Sequence, residues 1–229
     1  MKLQKGTEPS AALHGKWYDD ACGTAFGLEV LGERWSMLVV RELMLGSRRF
    51  SDLRASLPGI SAKVLTERLE GLERAGVLVR RQLPPPGKVQ VYELTEWGLL
   101  AEPAIQELGR WAARSPRHDP TLPLSPVSLM LSLRTMVDRE KAAAVQMNVG
   151  FEIGDDHFLA EIGGGNIEVR RAPTTGAELR FRAPAAPLLA GLIYGKVPAD
   201  ALPWLEIEGG EELRGRFLDI FQLPPKVGS

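Results

Sequence analysis

The sequence contains one cysteine, Cys22, among its 229 residues. A single cysteine excludes an internal disulfide framework and any zinc site built from several cysteines. No uninterrupted apolar run approaches the roughly 20 residues that span a bilayer. The first 17 residues also lack the long apolar centre of a secretory signal. We therefore expect a cytoplasmic protein that does not enter a membrane.

The sequence also lacks a recognisable catalytic constellation. Its three histidines, His14, His118 and His157, are isolated and have no metal-ligand spacing. The glycine run at 163–165 has no strand-loop-helix context of the kind that cradles phosphate, so a hairpin turn is the simpler interpretation. These absences predict no enzyme activity, no metal and no cofactor.

The composition is that of an ordinary globular protein, with 44% hydrophobic and 25% charged residues. The net charge of −1 conceals a strong asymmetry along the chain. Residues 34–88 hold eleven Lys and Arg against five Asp and Glu, a net +6, which leaves −7 for the remainder. A basic segment inside an acidic chain favours a localised anionic partner.

A proline-rich stretch divides the chain. Residues 114–126 contain four prolines and few large apolar side chains, and proline blocks the continuation of a helix. We therefore predict a first domain over residues 1–115, a linker over 116–126 and a second domain over 127–229.

The first domain shows the element order of a winged helix-turn-helix. A helical pattern over 21–31 continues through 33–45, a short helix follows with Ser51 as its N-cap, and a longer helix begins at Ser61 and stops at Gly76. Two alternating segments, 77–83 and 89–95, then predict a hairpin with a proline-rich tip. Thr95 caps a last helix that extends to about residue 114 and that Pro103 should kink or divide.

This order supports double-stranded DNA as the partner. The N-terminus of a helix favours phosphate, and side chains near it reach base edges in the major groove. Cations before the short helix and on the hairpin suit backbone phosphates. The predicted DNA contacts are Arg48, Arg49, Ser51, Ser61, Lys63, Thr66, Glu67, Arg80, Arg81 and Lys88. The competing interpretation is a solvated charged face, which is common on amphipathic helices.

Several ordered motifs resemble the HxlR family of bacterial transcriptional regulators. They include GERW at 32–35, RRFSDL at 48–53, LPGIS at 57–61, VLTERL at 64–69, LERAG at 72–76 and YELTEWG at 92–98. The resemblance covers roughly residues 20–113. It implies a mainly α winged helix-turn-helix domain that forms a homodimer through its N- and C-terminal helices and binds an inverted-repeat operator.

The predicted helix over 96–114 gives a physical reason for dimerisation. Its apolar side chains are Trp97, Leu100, Ile105, Leu108 and Trp111. A small domain cannot readily bury such a stripe alone, and exposed apolar surface of this size marks an interface. The alternative is that the stripe packs against the second domain.

The pattern of the second domain predicts an α+β fold with an antiparallel sheet. An apolar helix over 127–137 precedes alternating segments near 144–153, 157–165, 166–171 and 177–183. A helix near 184–196, a strand near 204–210 and a closing helix over 211–221 complete the pattern.

This half resembles the sterol-carrier-protein-like fold, through the stretches 188–202, 208–212 and 213–224. The resemblance implies a sheet and helices around a cavity for a hydrophobic small-molecule effector. The candidate lining residues are Met147, Phe151, Phe158, Leu179, Phe181, Leu188, Leu192, Phe217 and Phe221. The competing interpretation of each is a plain core side chain.

Cys22 has two interpretations. It is either a small buried residue at the start of the first helix or a redox or electrophile sensor, a role that an N-terminal cysteine has in some members of the family that the sequence resembles. A helix N-terminus and nearby cations would favour the reactive thiolate. Three hypotheses follow: a regulator controlled by a hydrophobic effector, a regulator that senses through Cys22, and a lipid-binding protein whose first half only dimerises.

Overall fold

The structure, a computed structural model, describes residues 18–84 and 89–228. These residues form two compact units, the first ending at Ala101 and the second beginning at Glu102. Among the described residues, no helix combines the length and the apolar character needed to cross a membrane.

The first unit consists of helices around a two-stranded sheet. Its elements are α1 Gly23–Leu31, α2 Ser36–Leu43, α3 Phe50–Ser56, α4 Ala62–Arg74, β1 Leu78–Gln82, β2 Gln90–Leu94 and α5 Glu96–Leu99. β1 and β2 form the predicted antiparallel hairpin. The helix-turn-helix and the hairpin that follows it therefore occur in the predicted order.

Two local details differ from the prediction. The first helical pattern is interrupted because Trp35 has a left-handed backbone (φ 81°), so that α1 and α2 are separate helices. α3 begins one residue before Ser51, with Arg49 as its N-cap residue and the Asp52 carboxylate accepting a hydrogen bond from the Arg49 N–H. Ser51 therefore lies in the first turn of α3 and does not cap it.

The second unit contains α6 Glu102–Ala113, α7 Pro126–Met136, α8 Arg139–Ala143, α9 Ala186–Ile193 and α10 Glu211–Asp219. Its strands are β3 Met147–Ile153, β4 Asp156–Gly163, β5 Asn166–Arg171, β6 Leu179–Ala183 and β7 Glu206–Glu208. Pro103 lies in the first turn of α6, and a break at residues 100–101 separates α6 from α5, as the proline predicts.

The five-stranded sheet has the order β5-β4-β3-β6-β7, and β3 and β6 are parallel neighbours. The prediction of an antiparallel sheet is wrong at this pair. Residues 172–178 carry the chain from β5 across the sheet to β6, and Thr174 passes over Gly150 of β3. A methyl group at Gly150 would lie 2.7 Å from the Cβ of Thr174, so the crossing requires glycine there.

Candidate DNA-binding interface

α4 has one apolar and one polar side. Leu65, Leu69 and Leu72 are buried, and their spacing places them on one stripe of the helix. The hydroxyl of Ser61 accepts a hydrogen bond from the backbone N–H of Val64 at 3.2 Å, which caps the helix as predicted. The core therefore holds α4 while its N-terminal end stays accessible.

Four of the predicted contact residues share this accessible end of α4. Ser61, Lys63, Thr66 and Glu67 are all exposed. The Thr66 hydroxyl donates to the carbonyl of Ala62 at 3.0 Å, and its oxygen can still accept a hydrogen bond. A cation, hydroxyls and a carboxylate beside a helix N-terminus are groups that contact phosphates and base edges.

The start of α3 is tied to the hairpin. The Arg48 N–H donates to the Tyr92 carbonyl at 3.0 Å, and the Tyr92 N–H donates to the Arg48 carbonyl at 2.8 Å. The Arg48 side chain is partly buried and its guanidinium donates to the Ser56 hydroxyl at 3.4 Å. Arg49 and Ser51 are exposed, so these two are the accessible members of the predicted set on α3.

The hairpin cations are already paired with acids. The guanidinium of Arg80 lies 2.8 Å from the Glu73 carboxylate and 5.7 Å from the centre of the Tyr92 ring. Arg81 lies 2.9 Å from the Glu93 carboxylate. Lys88, predicted at the hairpin tip, lies outside the described residues. Within the part of the chain that is described, no acidic side chain forms an ion pair with Arg49 or Lys63.

Sequence reasoning missed a pair of residues beside α4. Arg68 on α4 forms an ion pair with Glu33 of the α1–α2 turn, at 2.7 Å. The GERW motif contains Glu33, but no periodicity rule relates that turn to a position 35 residues later in the sequence.

The predicted dimerisation residues are mostly exposed. In the first unit, Trp97 and Leu100 are 46% and 75% exposed, and in the second unit Leu108 and Trp111 are 44% and 73% exposed. Ile105 is partly buried. Phe26 of α1, which was not predicted, stacks on Trp97 with ring centres 6.5 Å apart. α1 and α5 thus share an apolar surface.

Cys22 is exposed and occupies the N-cap position of α1. Hydrogen bonds from the backbone and side chain of Thr24, and from the backbone of Ala25, lower the pKa of its thiol. The interpretation of Cys22 as a buried core residue is therefore wrong.

The predicted effector-binding residues of the second unit lie in its core. Eight of the nine are buried and Leu188 is partly buried. The Phe217 ring lies 5.2 Å from that of Phe181 and 5.0 Å from that of Phe221, and Phe151 stacks on Phe181 at 5.6 Å. The rings of these four phenylalanines therefore pack against one another in the core of the second unit.

A groove of about 450 Å³ lies on the second unit. It is lined by Leu192, Lys196, Val197, Pro198, Ala199, Asp200, Arg214 and Leu218. Leu192 is the one predicted residue that also lines it. The Lys196 ammonium donates to the carbonyls of Leu218 and Phe221 at 2.6 and 3.3 Å, and partial burial lowers its pKa.

Among the described residues, no three His, Cys, Asp or Glu side chains converge to hold a metal.

Comparison with known proteins identifies the family of a segment that begins in α1 and ends beyond α6. Residues 30–119 match the sequence model described as HxlR-like helix-turn-helix. The HTH-type transcriptional regulator YvaP of Bacillus subtilis, itself described as uncharacterized, is 42% identical over 86 residues. That alignment covers 37% of this chain and 79% of YvaP.

The HTH-type transcriptional regulator YodB of the same organism is 39% identical over 89 residues, covering 39% of this chain and 78% of YodB. The solved reduced form of YodB has 34% identity and a TM-score of 0.39, and covers 43% of this chain and 98% of its own. Through the segment that builds the candidate interface, the chain belongs to the HxlR-like helix-turn-helix family of transcriptional regulators.

Proposed function

We propose that this chain is a sequence-specific DNA-binding regulator that acts as a homodimer on an inverted-repeat operator in the cytoplasm. The observation that carries the proposal is the N-terminal end of α4, where Ser61, Lys63, Thr66 and Glu67 are exposed on a helix held by buried leucines. In this arrangement α4 lies in the major groove, while Arg49 and Ser51 on α3 and the hairpin contact phosphates.

The α1–α5 surface supports the proposed homodimer. Phe26 and Trp97 stack there, and Leu28, Leu99 and Leu100 are exposed beside them in sequence. Adjacent apolar side chains on a regulator of this type support self-association, and a twofold dimer presents two copies of α4 to two half-sites.

The test is binding to duplexes enriched from a random library by the wild-type protein. We expect a steep negative slope of log affinity against log salt. Lys63→Ala should weaken binding to the enriched duplex, whereas Arg170→Ala, which removes an exposed cation of the second unit, should not. Absence of any DNA affinity at low salt would refute the proposal. Combined with tight binding of oleate, that result would favour the lipid-binding alternative.

The second unit is proposed to bind a hydrophobic effector that changes DNA affinity. The groove beside α9 and α10 supports this, since apolar Leu192, Val197 and Leu218 line it together with two cations. An effector can alter DNA binding only if it prefers one state of the dimer. Oleate and decanoate, titrated against the preformed DNA complex, test this. A Leu218→Trp variant that fills the groove should abolish any response.

Regulation through Cys22 is the second candidate. Its support is an exposed thiol at a helix N-terminus, with a lowered pKa. Forms of the relative YodB have been solved quinone-bound and diamide-treated. If Cys22 is the sensor, diamide or methyl-p-benzoquinone should release the wild-type protein from DNA and leave Cys22→Ser bound. An equal response of both proteins would exclude the idea.

A further inference from the structure

The turn between α1 and α2, residues 32–35, approaches the helix-turn-helix at two points, and neither is used by the proposed function. At one point Glu33 forms an ion pair with α4, and at the other the Trp35 ring stands close to the turn that precedes α4. We infer that this turn positions α4 for base recognition, with Glu33 and Trp35 as specificity-determining positioning residues. The inference rests on the proposed DNA-binding function.

The first contact fixes the flank of α4. The Glu33 carboxylate lies 2.7 Å from the Arg68 guanidinium, and the side chain of Arg68 is only 16% exposed. Its Nε is buried without a hydrogen-bond partner among the described residues. The neighbouring Glu67 carboxylate is 3.7 Å away, beyond hydrogen-bonding distance. Glu33 is therefore the main anion that holds Arg68.

The second point of approach lies near the start of α4. Trp35 is partly buried, and its ring carries the Arg34 guanidinium at 5.3 Å from the ring centre. A side chain added at Gly59 would lie 3.9 Å from the far edge of this ring. Gly59 has φ +89° and stands two residues before the N-cap Ser61. The ring thus lies beside the turn that delivers the chain into α4.

Two points of approach restrict the orientation of α4 more than one would. Leu65 and Leu69 attach α4 to the core, and apolar packing tolerates small rotations of a helix about its own axis. A charged contact on the flank and a ring at the start limit that rotation. Base readout needs donors and acceptors placed to within a fraction of an ångström, whereas contacts with phosphate tolerate more displacement.

Because base contacts tolerate less displacement than phosphate contacts, the two affinities distinguish a role in positioning α4 from a role in stability alone. Loss of the Glu33–Arg68 pair should reduce the ratio of specific to non-specific affinity. Glu33→Gln also removes a negative charge from the DNA-binding unit, so non-specific binding should stay equal or strengthen. A role in stability alone would move both affinities together.

A charge-matched control exists on the same helix. Glu73 near the C-terminal end of α4 pairs with Arg80 of the hairpin at 2.8 Å. Glu73→Gln removes one charge and one ion pair of α4, but at the end away from Ser61. It should leave the ratio of the two affinities unchanged.

The experiment measures the affinities of full-length variants for two labelled duplexes. One duplex is enriched by the wild-type protein and the other is a scrambled duplex of equal length. The variants are Glu33→Gln, Arg68→Gln, the double variant and Glu73→Gln. We expect each single variant at the pair to lower the affinity ratio about tenfold, the loss of one good base contact. The double variant should lose no more than either single variant, since the two residues act through one contact.

Two further variants keep the inference falsifiable if Glu33→Gln folds poorly. The reversed pair, Glu33→Arg with Arg68→Glu, should recover most of the ratio, and Trp35→Ala should lower it without touching a charge. An unchanged ratio in Glu33→Gln and Trp35→Ala would overturn the inference. A wild-type protein that binds both duplexes equally would overturn the proposed function itself, and the inference with it.

Discussion

At the scale of single residues, the N-cap of α4 is a feature that the sequence predicts and that can be tested directly. The Ser61 hydroxyl satisfies the N–H of Val64. Ser61→Ala should lower the free energy of unfolding of the first unit by about 1 kcal/mol, and Ser61→Asp should restore it. Urea titration followed by tryptophan fluorescence measures this.

Ser51 is the matched control for that prediction. Its exposed hydroxyl donates to the neighbouring Asp52 side chain and caps no backbone group. Ser51→Ala should therefore change the unfolding free energy little. Equal losses in Ser51→Ala and Ser61→Ala would contradict the assignment of the cap.

Cys22 gives a second prediction at this scale, in its dependence on pH. The hydrogen bonds of Thr24 and Ala25 lower the thiol pKa by favouring the thiolate. The rate of alkylation by iodoacetamide should therefore reach half its maximum at a lower pH than for a free cysteine. Thr24→Ala removes one of these bonds and should move the midpoint upward. Cys22 is the only thiol in the chain, so the measurement reports on it alone.

Capping residues are predictable because their partners lie three positions away in the same chain. Thr95 caps α5 just as Ser61 caps α4. The partners of Arg80 and Arg81 are different, because Glu73 and Glu93 reach them only through the folded hairpin. The sequence therefore predicts the cations and not their neutralisation.

At the scale of elements, the ion pairs of the hairpin arginines limit the charge that the hairpin can contribute to DNA binding. Glu93 neutralises Arg81 at 2.9 Å. Glu93→Gln should free that guanidinium and strengthen binding to every duplex alike at low salt. The log–log salt slope should steepen by about one unit.

A fluorescence anisotropy titration at several salt concentrations measures both quantities. Glu161→Gln, which breaks the pair with Arg170 in the second unit, is the control and should change neither. A gain confined to one sequence would mean that Glu93 contributes to base readout instead.

The packing of α10 on the five-stranded sheet centres on one ring. Phe217 is fully buried and contacts Phe151, Phe181 and Phe221. Phe217→Ala should destabilise the second unit by about 3–5 kcal/mol, because it removes a large side chain from the middle of the cluster. Leu188→Ala, at a partly buried position, should cost clearly less. Hydrogen exchange of the β3 and β6 amides in urea compares the two.

Alternation in the sequence predicts the strands of this sheet but not their order. Phe151 and Phe181 alternate with polar residues, and both lie on the inward face as that pattern requires. The parallel pairing of β3 with β6 depends on residues 172–178 crossing over Gly150. A glycine in a strand signals close approach of another segment without identifying it.

At the scale of the whole molecule, charge and apolar surface point to different partners. The net +6 of residues 34–88 within a chain of −1 suits DNA, whereas the α1–α5 surface suits another copy of the chain. Composition shows the charge, and periodicity shows Trp97 and Leu100 of the apolar surface but not Phe26. The accessibility of these side chains is not visible in the sequence, because exposure depends on which side chains the core absorbs.

The proposed dimer is the feature on which operator recognition depends, since an inverted repeat requires two copies of α4 with fixed spacing. Leu100 is 75% exposed on the proposed surface. Leu100→Glu should produce monomers in sedimentation velocity at micromolar concentration, because two unpaired carboxylates would be buried in the interface. Affinity for an inverted repeat should fall by about 100-fold through loss of the second contact. Binding to a duplex with one half-site should be unchanged.

Trp204 supplies the control for this prediction. It is a large aromatic residue of the second unit, 82% exposed, and its replacement tests whether loss of any exposed apolar side chain weakens association. Trp204→Ala should leave the sedimentation coefficient and both affinities as in the wild-type protein. If Leu100→Glu also remains dimeric with full affinity for the inverted repeat, the α1–α5 surface is not the dimer interface.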